Sequence, residues 1–136
     1  MLGFFFQATI LHVVPPIVLM MLKETHIKSC CDFGSVHLAY CGAAPISSDT
    51  EQQFLRHTGI RSFKQGYGMT EAGPVLTVAR SVDWQPGSVG IPVHGTQAKV
   101  INIVTGEKVL QAGETGELCF RGPQIMKGIL NRGGIE

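Results

Sequence analysis

Charge is what this sequence has least of. Only 15% of its 136 residues are Asp, Glu, Lys or Arg, against roughly 25% in a typical soluble domain. The formal net charge is +1, and the Lys and Arg residues are scattered rather than gathered in a run. The basic footprint that a nucleic-acid partner needs is therefore missing. Cysteine is sparse as well: Cys30, Cys31, Cys41 and Cys119. None forms a C-x-x-C pair, and two adjacent cysteines make a poor disulfide framework. Cys41 and Cys119 sit in apolar strand-like runs, where a free thiol behaves as a small hydrophobe. A reducing, intracellular compartment and no zinc site are expected. The histidines (His12, His26, His37, His57 and His94) show no ligand spacing. There is no G-x-x-x-x-G-K-S/T phosphate loop, no G-x-G-x-x-G and no G-x-S-x-G nucleophile elbow.

What is present is apolar. The mean hydropathy is +0.19, and the length suits one domain. A free domain of this size buries only about 68% of the surface its unfolded chain exposes. So little charge on so much remaining surface predicts interior cut out of something larger. The opening run MLGFFFQATILHVVPPIVLMML has the length and apolarity of a membrane span or signal peptide. No basic residue precedes it, no small-x-small cleavage pattern follows it, and Pro15-Pro16 interrupts it. A buried strand followed by a buried helix accounts for it better, with a proline in the helix's first turn, where a missing N–H does no harm.

The first half alternates strand and helix. Residues 8–14 read as a strand and 17–23 as a helix apolar on nearly all sides, hence buried. Residues 36–41 form a second apolar run ending at GAAP. Ser48, Asp49, Thr50 and Glu51 have capping-box spacing and open a helix to about His57, with Gly59 as its stop. Residues 60–64 are a third strand. After Trp84, residues 96–104, 108–110 and 117–121 read as an antiparallel meander, and PGSVGIPVHG before them as a crossover connection. The expected class is α/β: a mixed, largely parallel sheet with helices over residues 1–80, then a β-rich part over 81–136.

Ligands of α/β sheets bind at the carboxyl ends of strands, and two loops lie there: Gly42-Ala43-Ala44-Pro45 and QGYGMTE, residues 65–71. Small residues let a backbone approach a flat ligand. Tyr67 can face a purine, Thr70 can donate to a phosphate oxygen, and Glu71 can hold a hard cation such as magnesium. The alternative is a tight turn in which Tyr67 packs and Glu71 is solvated.

Four segments in order, VPPIVL, CGAAPIS, QGYGMTEAGPVL and GETGELCFRGPQIMKG, resemble the adenylate-forming acid–CoA ligases of the 4-coumarate–CoA ligase and firefly luciferase branch. The resemblance runs from about Thr9 to Asn131. It implies a piece of the large N-terminal AMP-binding domain. The implied chemistry joins a carboxylic acid to ATP, releasing pyrophosphate, and then transfers the acyl group to coenzyme A; luciferases oxidise the acyl-adenylate instead. By the same resemblance Gly42, Ala43, Ala44, Pro45, Gln65, Gly66, Tyr67, Gly68, Met69 and Thr70 surround the nucleotide, with Tyr67 on the base. Ala43, Gln65, Gly66 and Val78 bound the acyl pocket. Thr70 contacts the α-phosphate and Glu71 holds Mg²⁺, and these two carry the catalysis. Residues 117–122, with Arg121, are read as scaffold, Trp84 as a packing anchor, and Lys64 and Lys127 as solvated.

The resemblance also marks what this sequence does not contain. Relatives carry a Ser/Thr/Gly-rich lysine loop upstream, and an aspartate, a hinge and a catalytic lysine downstream. A half site without turnover of its own is therefore expected, in a cytoplasmic or peroxisomal protein, although GIE is no peroxisomal address. A non-catalytic module binding nucleotide or a partner is the alternative from another class.

Overall fold

The computed structural model describes residues 7–24, 26–27, 31–80, 85–107 and 109–129. Cys30, Trp84, Lys108 and both chain ends lie outside them. Strand β1 (Ile10–Val13) leads into helix α1 (Pro15–Lys23), and β2 (Leu38–Cys41) leads through GAAP into α2 (Ser48–Thr58). Strand β3 (Ser62–Tyr67) follows, then a single 3₁₀ turn (Thr70–Ala72). Short β4 (Thr77–Val78) and β5 (Ile91–Pro92) come next, then β6 (Gln97–Ile101) and β7 (Glu117–Arg121).

Five strands form one sheet in the order β1-β2-β3-β4-β5, and β6 and β7 form a separate ribbon. Strands β1, β2 and β3 are parallel, while β4 and β5 join antiparallel. This is the mixed α/β sheet expected. The segment read as a crossover instead supplies β5, the edge strand, where Pro92 can sit without breaking a ladder. The meander reduces to the antiparallel β6–β7 ribbon plus one bridge, Ile101 to Val109.

Local chemistry explains the helix ends. Proline occupies the first turn of α1, as anticipated. The cap of α2 differs by one residue: Ser47, not Ser48, accepts from the Thr50 N–H at 3.2 Å. Glu51 is thereby released from a capping role and turns inward, 1% exposed. Gly59 ends α2 at φ 77°, with its N–H on the Leu55 carbonyl, a left-handed stop that favours glycine.

The core lies between the two helices and one face of the sheet. Phe54 of α2 meets Phe63 of β3 edge-on, with centroids 5.5 Å apart, and both are fully buried. Val18 and Met21 of α1 close the cluster beside Ala39 and Cys41. The expectation of a wholly buried α1 fails on its other side. There Ile17, Leu19 and Met20 are 40–48% exposed, because within this chain only one stripe of the helix faces the sheet. No helix among the described residues is long and apolar enough to cross a membrane.

Candidate active site

The register of the parallel strands builds the site. Val13 pairs with Cys41, and Cys41 with Gln65. One residue further on, Gly42 follows directly on the end of β2, while Gly66 beside it continues β3 and pairs with Val78 of β4. Between the loops that follow lies an open cleft of about 670 Å³. Gly42 and Ala43 line one part of it; Gly66, Tyr67, Gly68, Met69, Thr70, Glu71 and Val78 line the rest. A smaller cavity of about 240 Å³ adjoins it, lined by Ala44, Pro45, Gln65 and Val89. Ala43, Gly66, Tyr67 and Gly68 border both. All the site residues nominated from the sequence thus fall on these two connected spaces.

Each wall has a local cause. Ala43 holds φ 74°, a left-handed conformation rare for a residue with a Cβ, so the GAAP chain bends sharply as it leaves β2. Gly68 passes so close to the 74–75 backbone that an added Cβ would lie 1.8 Å from the Pro74 carbonyl oxygen. That contact folds the loop back and exposes Met69, Thr70 and Glu71. The 3₁₀ turn carrying Thr70 and Glu71 is held from behind by the Met126 N–H, 2.9 Å from the Glu71 carbonyl. The GPQIMKG segment, residues 122–128, thus supports the turn from behind.

Two nominated residues have partners within the protein. The Tyr67 ring, 38% exposed, stacks on Phe120 of β7 with centroids 6.0 Å apart and an interplanar angle of 27°. Gln65 points to the helix side of the sheet, 4% exposed. Its Nε2 donates to the Ile46 carbonyl and to Glu51 Oε2, both at 3.3 Å. It borders the smaller cavity and not the main cleft. Lys64, expected to be solvated, is half-buried on β3.

The sequence reading passed over Tyr40, Pro74 and Val75 in the main cleft and Val89 in the smaller cavity. Tyr40 could have been found: it lies two residues before Gly42 on a strand that ends at the site, and alternation puts it on the face opposite Ala39. Its ring lies near His12 and its hydroxyl beside Gly66, where a Cβ would come within 2.6 Å. That hydroxyl is buried with no hydrogen-bond partner among the described residues. Burial raises the Tyr40 pKa, and the Ala79 backbone, close by but outside hydrogen-bond geometry, pulls it down in smaller measure. Glu51 was passed over because its spacing fits a cap. Burial raises its pKa too, opposed by the Gly87 amide and the Gln65 side chain. The thiol of Cys41 is pushed up by burial and then by the Glu51 charge.

Among the described residues no group of three or more His, Cys, Asp or Glu converges as a metal cage. Glu71 stands alone on the cleft wall beside Thr70, which suits a cation that takes one protein carboxylate and completes its shell with phosphate and water.

Residues 6–130 match the family model described as AMP-binding enzyme. The chain is 40% identical over 131 residues to the 4-coumarate–CoA ligase of Pinus taeda, covering 93% of this chain and 24% of that protein. Among solved structures it is similar to the anthranilate CoA ligase AuaEII in complex with anthranoyl-AMP. There the TM-score is 0.78 at 25% identity, over 89% of this chain and 23% of that one. It is similar also to ATP-bound MatB from Rhodopseudomonas palustris, with a TM-score of 0.75 at 32% identity, over 89% of this chain and 24% of that one. The chain thus spans about a quarter of the length of each of these relatives. With the two loops converging on one cleft, this chain belongs to the family of AMP-binding enzymes.

Proposed function

We propose that this chain carries the nucleotide and acyl half of an acid–CoA ligase site. The observation that carries the reading is the shared cleft between Gly42–Ala43 and Gly66–Glu71. Its geometry suits an acyl-adenylate: a flat base against Tyr67, a phosphate at Thr70, and an acyl group among the nonpolar side chains of Val75 and Val78 and the Tyr40 ring. The α-phosphate would take a hydrogen bond from the exposed Thr70 hydroxyl. The GAAP backbone would pack on the nucleotide from the other side. Ala43, Gly66 and Val78 would bound the acyl group, with Gln65 acting through the wall it stiffens.

In adenylation a carboxylate oxygen attacks the α-phosphorus of ATP, and the bond to the bridging oxygen breaks as pyrophosphate leaves. In the second half the coenzyme A sulfur attacks the acyl carbonyl and AMP departs. Two anions must meet in the first half, so fixed donors that lower their repulsion are what the site can supply. Glu71 would hold Mg²⁺, which supplies charge neutralisation at the phosphates when bound.

Calorimetric titration with AMP and ATP, alongside a pyrophosphate-release assay with 4-coumarate, anthranilate and a fatty acid, tests the reading. The chain is expected to bind AMP without releasing pyrophosphate. Thr70→Ala removes a hydrogen bond to a charged group and weakens binding by roughly tenfold to a hundredfold. No AMP binding by the wild-type chain, or wild-type affinity in both Thr70→Ala and Tyr67→Ala, would overturn it.

A further inference from the structure

Glu51 is the one buried carboxylate among the described residues, 1% exposed, and nothing in the proposed adenylation uses it. Its Oε2 accepts two hydrogen bonds, from Gln65 Nε2 and from the Gly87 N–H, each at 3.3 Å. From Gln65 the chain runs two residues to Tyr67, whose N–H donates to Thr77 Oγ1 at 3.2 Å. The Thr77 hydroxyl in turn donates to the Val89 carbonyl at 2.7 Å, and Val89 lies two residues from Gly87. The four bonds close a circuit through α2, β3, β4 and the loop at 85–90. The smaller cavity lies against it, with Gln65 and Tyr67 in one wall and Val89 in another.

We propose that Glu51 is a positioning residue for the nucleotide: it ties β3 to the Gly87 loop and so sets the distance between the walls that carry Tyr67 and Val89. This rests on the adenylate reading above. A carboxylate oxygen is an acceptor with no proton of its own, so one atom can take both N–H donors. Stability alone would not select it. Glu51 Oε1 is buried with no partner among the described residues, and burying such a group is unfavourable. Leucine would remove that orphaned oxygen, while leaving the Gly87 N–H and Gln65 Nε2 without this acceptor, so the two effects oppose each other. What Leu cannot do is hold Gln65 and Gly87 at one point.

The test compares Glu51→Leu with Glu51→Gln in the full 136-residue chain, reading AMP affinity, melting temperature and amide exchange at Gly87. The Leu variant is expected to melt within a few degrees of wild type, to lose protection at Gly87, and to bind AMP about tenfold more weakly or worse, since small misplacements of a binding wall are amplified in this way. The Gln variant keeps an acceptor oxygen for both donors and restores affinity and protection. Thr77→Val opens the circuit on its far side and weakens AMP binding in the same direction, which keeps the test decisive should Glu51→Leu fail to fold. Wild-type affinity in Glu51→Leu, or in Thr77→Val where Leu does not fold, overturns the proposal while leaving the adenylate site standing. A wild-type chain that binds no AMP removes the adenylate reading itself.

Discussion

Ala43 and Glu51 each sit in unfavourable surroundings, one by its backbone and one by its burial. Ala43 holds φ 74°, where a Cβ costs roughly 1–2 kcal/mol. Glycine relieves that crowding but gives back about 0.4–1 kcal/mol by loosening the unfolded chain. Ala43→Gly is therefore expected to gain about 0.5 kcal/mol, read from urea unfolding midpoints. Glu51 has a folded pKa raised by burial above the ordinary 4.5. Its stabilising contribution is full below that ordinary value and is lost as pH rises through the raised one. Glutamine cannot ionise and keeps what Glu51 loses. Glu51→Gln should melt a few degrees above wild type at pH 8, and thermal melts should show the gap closing towards pH 4. The sequence does single out Tyr67, Thr70 and Glu71, three side chains that line the cleft, because each declares its chemistry by type. It does not name Glu51, because spacing records where a carboxylate sits along the chain and says nothing about what surrounds it.

Elements follow from local signals where the signal is strong. Proline in the first turn of α1 and glycine at the end of α2 are read without the fold, since each acts on its own backbone. The sheet is less legible beyond β3. Strand β4 has two residues and β5 has two, too short for any periodic pattern; β4 exists because β3 runs on to Tyr67 and offers it an edge, and β5 adds to β4 in turn. The turn between β3 and β4 depends on Gly68. Alanine there would set its Cβ 1.8 Å from the Pro74 carbonyl oxygen, so the turn must open or the chain must shift. Gly68→Ala is expected to cost about 2 kcal/mol or more and to weaken AMP binding, because Thr70 and Glu71 ride on that turn. Chemical denaturation and calorimetry of the same preparation check both. The face of α1 marks another limit of local reading: its composition is apolar all round, and only packing reveals which stripe this chain covers.

The whole molecule is a sheet and a ribbon joined at the site. Tyr67 stacks on Phe120 across that junction, and the Met126 N–H reaches the Glu71 carbonyl from the segment that follows β7. Phe120 does not line the main cleft, yet it fixes one face of the ring expected to meet the base. Phe120→Ala should forfeit about 0.5–1.5 kcal/mol of ring pairing beyond its lost burial. AMP affinity and amide protection in β6 and β7 are expected to fall together; a drop in protection with unchanged affinity would detach the ribbon from the site. By itself the sequence determined the strand–helix alternation, the proline start of α1, the glycine stop of α2 and the set of chemical groups, because each of these acts over a few neighbouring residues. Only the tertiary structure decided that Cys41 pairs with Gln65, so that Gly42 at the end of β2 lies beside Gly66 within β3 and two segments far apart in the chain share one cleft. Register is a long-range agreement between strands, set by which faces the core buries, and no stretch of either loop contains it.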